Sequence, residues 1–260
     1  MAKKFNGIVK VDNFLDGTDI YYTTKEDGVS VGPYAGFNLG LHVEDDVKSV
    51  LKNRYGLEKN IRKKLVWMNQ THSNVVKFVD YKDAQSAKGM SSGTEAISLG
   101  VEADGIVTID KSVALCVLTA DCLPLLLASE DKKVVAAVHC GWKGMQSGII
   151  RNTIALMRRC TFAPIYAFIG PCIGPKSYEV GPELLEQFCN ANPKSKEEFE
   201  AQGNGKYLCS LPGLCSMFLN DLGIDNIKNS NLDTYAEDSK FFSYRRENVT
   251  GRIASIISLN

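Results

Sequence analysis

Residues 119–143 read TADCLPLLLASEDKKVVAAVHCGWK, with two apolar runs (123–128 and 134–138) flanking the charged segment 129–133. Apolar runs of this length around a polar turn predict a β-hairpin. A four-residue loop at 129–132 sets Ala128 against Lys133 and, counting back, Cys122 against His139. Directly opposed residues share a sheet face, with Cβ atoms about 4.5–5.5 Å apart, so both can grip one ion. A five-residue loop sets Cys140 opposite Cys122 instead. Pro124 cannot donate to a ladder and is expected to end its strand early. In either register Cys122 meets the 139–140 pair.

Outward from this hairpin, composition narrows the possibilities. The chain has 260 residues, ample for a core, and its thirty basic and thirty acidic residues balance. No basic tail or stripe stands out, which argues against nucleic acid as the main ligand. The N-terminus MAKKFNGIVK lacks an apolar run after its charges, so no signal peptide is expected. The stretch 113–128 is interrupted by Thr119, Asp121 and Pro124 and is too short to span a bilayer. Eight cysteines in such a chain read as free thiols, and a cytoplasmic location is expected. Its histidines are three, His42, His72 and His139, which limits the chemistry from the outset.

Along the chain, residues 5–25 suggest two early strands, and 28–41 form a glycine-rich loop. Val47, Val50, Leu51 and Tyr55 have helical spacing behind an acidic first turn. Strands are expected at 64–68, 75–79, 104–109 and 113–118, and 81–103 reads as a surface excursion. After Gly141, Met145, Ile149, Ile150, Thr153, Ile154 and Met157 mark one face of a helix. A strand at 166–169 runs into the turn GPCIGP. Helices follow at 182–189 and 211–222 with a polar loop between, and two closing strands flank 248–251. Strands and helices mix without βαβ alternation, so one α+β domain over 1–260 with mixed sheets is expected.

His72, Cys122 and His139 sit at the ends of apolar runs, where strand tips deliver side chains to a pocket. Zinc takes thiolate and imidazole, and a catalytic site uses three such ligands with a fourth position open. The same Cys122 and His139 also suit a nucleophile–base dyad for acyl transfer, an imidazolium lowering the thiol pKa. The sequence leaves both readings open. Cys172 in GPCIGP reads as pocket lining or as an incidental thiol in a rigid turn. Arg245, Arg246 and Arg252 are candidate anion binders or solvated cations. The N-terminus of the helix after Gly141, with Lys143 beside it, offers another anion site. His42 reads as a loop or pocket-rim residue.

Taken together, FNLGLHVEDD, Asn53-Arg54, NQTHS, ADGIVT, TADCLPLLLA, AAVHCGWKG, IGPCIGPKSYEVG and FFSYRR…TGR follow an order that resembles the YfiH/YlmD family. These proteins are also called laccase-domain or polyphenol-oxidase-like. The likeness runs from about residue 35 to the C-terminus. It implies a sandwich of mixed sheets flanked by helices, related to a group once suspected of cysteine hydrolase chemistry. It implies metal ligation by His72, Cys122 and His139, the same trio. Where the family usually has Ala and Arg, this chain has Cys140 and Lys143, which keeps the charge but loses the bidentate fork. The family name suggests copper oxidation of phenols, but a multicopper oxidase needs far more imidazoles than this chain has. A single copper in the zinc site remains compatible with the donors. The resemblance implies zinc-associated phosphorolysis of adenosine, inosine, guanosine and methylthioadenosine, with adenosine deamination. Asp121 and Cys172 are then candidates for the general acid/base, and Arg54, Lys143 and Arg245 for phosphate and ribose. The rival expectation is a Cys122/His139 amidase or peptidase acting on a cell-wall fragment.

Overall fold

A computed structural model describes residues 6–86 and 99–260; part of the 81–103 excursion therefore lies outside the described residues. One sheet has the order β1 (Ile8–Lys10), β2 (Thr18–Thr23), β16 (Ile253–Leu259), β8 (Val113–Thr119), β3 (Lys64–Val66). The second runs β15 (Asn226–Asn229), β11 (Ile165–Ile169), β9 (Leu123–Ser129), β10 (Val135–Cys140), β7 (Gly105–Thr108), β5 (Val76–Phe78). Both are mixed, with parallel pairs at β3–β8, β5–β7 and β11–β15. A small sheet joins β12 (Glu179–Val180), β14 (Tyr207–Cys209) and β13 (Phe199–Ala201), and β4 (Met68–Asn69) pairs with β6 (Val101–Glu102).

Strand alternation builds the layers. From β8, Val113, Leu115 and Val117 pack with Leu126, Ala128, Val135, Ala137 and Phe168 of the facing sheet. Their alternates Ala114, Cys116 and Leu118 turn outward onto Leu57 and Ile61 of α1 (Val47–Ile61). On the far side, Leu123, Leu125, Leu127 and Val138 meet the helices. These are α3 (Trp142–Gln146), α4 (Ile149–Met157), α5 (Pro182–Ala191) and α6 (Leu211–Asn220); α2 (Tyr81–Ser86) and α7 (Tyr244–Glu247) are shorter. Both faces of the central strands are covered, which is why they read as continuous apolar runs. The fold is α+β, two mixed sheets face to face between helices.

The hairpin forms, but in a third register. Ala128 pairs with Val135, His139 with Pro124 and Cys140 with Leu123. Ser129 causes this: its Oγ accepts the N–H groups of Lys133 and Val134 (3.2 and 3.1 Å), and its own N–H reaches the Val134 carbonyl. That closes a larger turn, with Lys132 at φ 59°. Continuing the count sets Cys122 opposite Gly141. Pro124 lies within β9, because pairing with β11 stops at Leu125–Ile169 and the missing donor falls past it. The helix after Gly141 is two helices, broken at Gly148, whose φ of 91° suits glycine. The polar loop after α5 contains β13 and β14. One closing strand forms instead of two: Ser243 and the Arg245 N–H bond to Asp121, winding 244–247 into α7.

Candidate metal centre

His139 continues the inward face of Val135 and Ala137 to the end of β10, so its imidazole lies at one edge of the layer between the sheets. Cys122 stands just before β9, on the turn that follows β8, where Asp121 takes φ 91°. His72 comes from the loop after β4, itself at φ 61°. One ligand atom from each of the three lies within 4.8 Å of the others, the one such group of three or more among the described residues. Cys122 Sγ is 3.7 Å from His72 Nε2, and the imidazole centroids are 4.7 Å apart, edge to face. The close approach requires Gly141: a Cβ there would sit 2.8 Å from His72 Cδ2.

Sequence reasoning missed the residue that organises this group. Asp104, fully buried, accepts from His139 Nδ1 at 2.8 Å. The same carboxylate accepts the N–H groups of His72 (3.0 Å) and Ser73 (2.7 Å) and the Ser73 hydroxyl (2.6 Å). Its carbonyl also receives the His139 N–H at 2.7 Å. With Nδ1 protonated against a carboxylate, His139 presents Nε2 to the site, the arrangement that metal-ligating histidines use. Burial works against the Asp104 charge, but the bonds from His139 and Ser73 outweigh it and hold the carboxyl well below its usual range. The available signal was the Asp of ADGIVT, at the entrance to β7.

In the donor set itself, burial would raise the Cys122 thiol, yet His139 and His72 pull it down. His139 moves up for the reciprocal reason: desolvation is overcome by Cys122 and Asp104. A thiolate between two imidazoles is a borderline-soft N₂S donor set that fits zinc or a single copper.

Other sequence candidates separate. Asp121 adjoins the site, but Oδ1 accepts from Thr234 (2.7 Å) and Oδ2 from Ser243 (3.0 Å) and the Arg245 N–H (2.7 Å). Arg245 donates to the Glu179 carbonyl and lies 5.0 Å over the Tyr178 ring. Tyr178 is in turn within electrostatic range of Cys122. Lys143 is exposed, its Nζ 5.5 Å from the Trp142 ring, and α3 is a five-residue helix, too short to act as an anion site. Cys172 is buried and its thiol pushed up by burial, so it stays protonated. It lines a cavity of about 470 Å³ with Lys176, Ser210, Gly213 and Asp233. Arg54 is buried and stacks on Trp67.

The comparisons with known proteins agree with this architecture. Residues 19–260 match the sequence model of a family described as multi-copper polyphenol oxidoreductase laccase. The chain belongs to this family. Its relatives include a Haemophilus influenzae protein named purine nucleoside phosphorylase, 38% identical over 91% of this chain and 92% of the relative. Escherichia coli purine nucleoside phosphorylase YfiH is 35% identical, with the same shares covered. Among solved structures, Bacillus licheniformis YfiH superimposes with a TM-score of 0.87 at 29% identity, covering 98% of this chain and 100% of that one. A Neisseria meningitidis protein gives 0.86 at 34% identity, with the same coverage. The family description names several coppers; three histidines in this chain do not furnish a multicopper donor set. Among the described residues no helix is long and apolar enough to cross a membrane.

Proposed function

We propose that this chain is a zinc-dependent purine nucleoside phosphorylase that also deaminates adenosine. The carrying observation is the His72, Cys122, His139 group, three donors held within 4.8 Å, in a chain whose relatives bear the phosphorylase name. Zinc bound there supplies Lewis-acid polarisation. His72, Cys122 and His139 hold it, and Asp104 keeps the His139 proton on Nδ1. Arg245, whose backbone N–H bonds Asp121 next to Cys122, provides for phosphate and ribose, with its guanidinium 5.0 Å over the Tyr178 ring. In phosphorolysis a phosphate oxygen replaces the purine nitrogen at the ribose anomeric carbon, giving ribose 1-phosphate and the free base. In deamination water replaces the amino group at C6 of adenine, releasing ammonia.

Chromatography of adenosine incubated with the zinc-loaded protein tests this. Adenine should appear only with phosphate present, inosine without it, and hypoxanthine where both reactions run. Alanine at His72, Cys122 or His139 should each lower zinc content and abolish turnover. No turnover of any purine nucleoside, or full zinc occupancy in all three variants, overturns the proposal. A second reading draws on the lowered Cys122 thiol beside His139: a cysteine amidase or peptidase. It requires turnover of an amide substrate by metal-stripped protein.

A further inference from the structure

The end of β8 remote from Cys122 carries a second concentration of charge. The run Lys59-Asn60-Ile61-Arg62-Lys63-Lys64 closes α1 and enters β3. Lys59, Arg62, Lys63 and Lys64, with Tyr55, Glu58 and Ser112, line a cleft of about 610 Å³. That volume is within the range small ligands occupy, roughly 300–1,000 Å³. β3 pairs with β8 in parallel, Lys64 against Val113. β8 runs from Val113 to Thr119 at about 3.3 Å per residue, so the cleft lies about 20 Å from the Cys122 turn. None of the candidate metal donors lines it.

The positive charge of this cleft is not balanced within it. Its one carboxylate, Glu58, pairs with Lys64. Lys59 and Arg62 form no ion pair among the described residues. Lys63 Nζ is held in place by main-chain carbonyls, those of Lys111 at 2.9 Å and of Leu259. Of the four cations only Lys59 lies in the last turn of α1, where the helix dipole accounts for it. Arg62 takes the left-handed C-cap at φ 60°, a position that favours Gly or Asn. An arginine there sets a guanidinium on the cleft wall. Tyr55 is 58% exposed on the same wall, with Lys59 Nζ 4.6 Å from its ring centroid. A flat ring beside a fork of cations suits a base that carries a phosphoryl chain: the ring stacks, and the cations give charge-assisted hydrogen bonds.

We infer that this cleft binds a nucleoside diphosphate, with its phosphoryl groups on Lys59, Arg62 and Lys63 and its base against Tyr55. The site stands apart from the phosphorolysis reading, because it shares no residue with the metal centre and its test reads binding alone. Calorimetric titration of the zinc-loaded protein with adenosine diphosphate should give saturable binding that weakens as salt is added. Arg62→Gln should weaken it about tenfold, the loss of one charge-assisted contact, and Lys59→Gln severalfold. Arg62→Gly relieves the left-handed backbone, so its thermal midpoint should match or exceed wild type while its binding falls as far. That variant separates loss of the site from loss of the fold. Tyr55→Ala should weaken adenosine diphosphate severalfold and leave pyrophosphate unchanged. His72→Ala should bind the diphosphate as wild type does. Binding lost in His72→Ala but retained in Arg62→Gln puts the nucleotide at the metal centre and overturns the inference. Pyrophosphate bound as tightly as adenosine diphosphate overturns it too, since the base then contributes nothing. An RNA oligonucleotide held through Arg62 by a protein that ignores adenosine diphosphate would replace it with a nucleic-acid backbone site.

Discussion

Asp104 accepts the Nδ1 proton of His139 at 2.8 Å while also bonding the backbone N–H of His72 at 3.0 Å. One carboxylate thus positions two of the three candidate metal donors, one through its ring and one through its loop. Asp104→Asn must turn an amide N–H toward at least one of these donors. It should weaken zinc affinity about 10- to 100-fold and cost about 1–3 kcal/mol of stability, read by competition with a chromophoric chelator and by denaturant unfolding. The ionised carboxyl is the stabilising form, its folded pKa being depressed. Its contribution is therefore present above the unfolded value of about 3.9 and lost as pH falls below it. Wild type should show an acid-limb loss that Asp104→Asn lacks. Unchanged metal affinity in this variant would refute the positioning role.

The Cys122 thiol distinguishes ligand from nucleophile. In zinc-loaded protein the thiolate is committed to the metal, and iodoacetamide labelling should be slow. After chelation His139 and His72 hold Cys122 down at about 6. Labelling should then be fast at pH 7–8 and fall only as pH drops through about 6, well below the ordinary thiol range near 8.5. Cys140, buried on the opposite face of β10, is the control for accessibility. Peptide mass spectrometry reads both. Rapid labelling of Cys122 with zinc in place would favour the hydrolase reading.

The core strands and the meeting of His72, Cys122 and His139 were legible in the sequence because long apolar runs announce buried strands whose tips come together. The hairpin register was not, because Ser129 uses its side chain to widen the turn, and periodicity carries no such information. The C-terminal helical turn was hidden for a related reason: Asp121, 122 residues away from Ser243, supplies the bonds that wind it. Asp104 escaped notice because a lone Asp before a strand is common, and its importance comes from three chain segments meeting.

Gly141 is in the extended region at φ −68° and ψ 156°, which any residue adopts, so any effect of substituting it is steric. A methyl group there meets the His72 ring at 2.8 Å and approaches Cys122 Sγ at 3.5 Å. Gly141→Ala should push His72 out of position and lower zinc affinity at least severalfold. Global stability should change by no more than about 1 kcal/mol, since His72 is exposed and can swing away. Cobalt substitution offers a direct view: the thiolate charge-transfer band should persist while the ligand-field bands lose intensity or shift. Spectra identical to wild type would show that the His72 ring had not moved.

Asp121 was a candidate acid/base, yet its oxygens already receive Thr234, Ser243 and the Arg245 N–H. Its own carbonyl takes the Ile173 N–H at 2.9 Å. It therefore ties the Cys122 turn to three distant segments. Asp121→Asn keeps the volume but removes the charge and must present an N–H where only donors point. The expected cost is about 1.5–3 kcal/mol, the range for hydrogen bonds to a charged group. A structural staple and a proton-transfer group differ in what they do to the pH profile. As a staple, the variant should melt earlier while retaining the wild-type dependence of kcat on pH at temperatures where it is folded. As an acid/base, it should keep its thermal midpoint and lose one limb of the profile. Scanning calorimetry and a pH series on the same preparation decide between them, and a wild-type midpoint with a missing limb would return Asp121 to the chemistry.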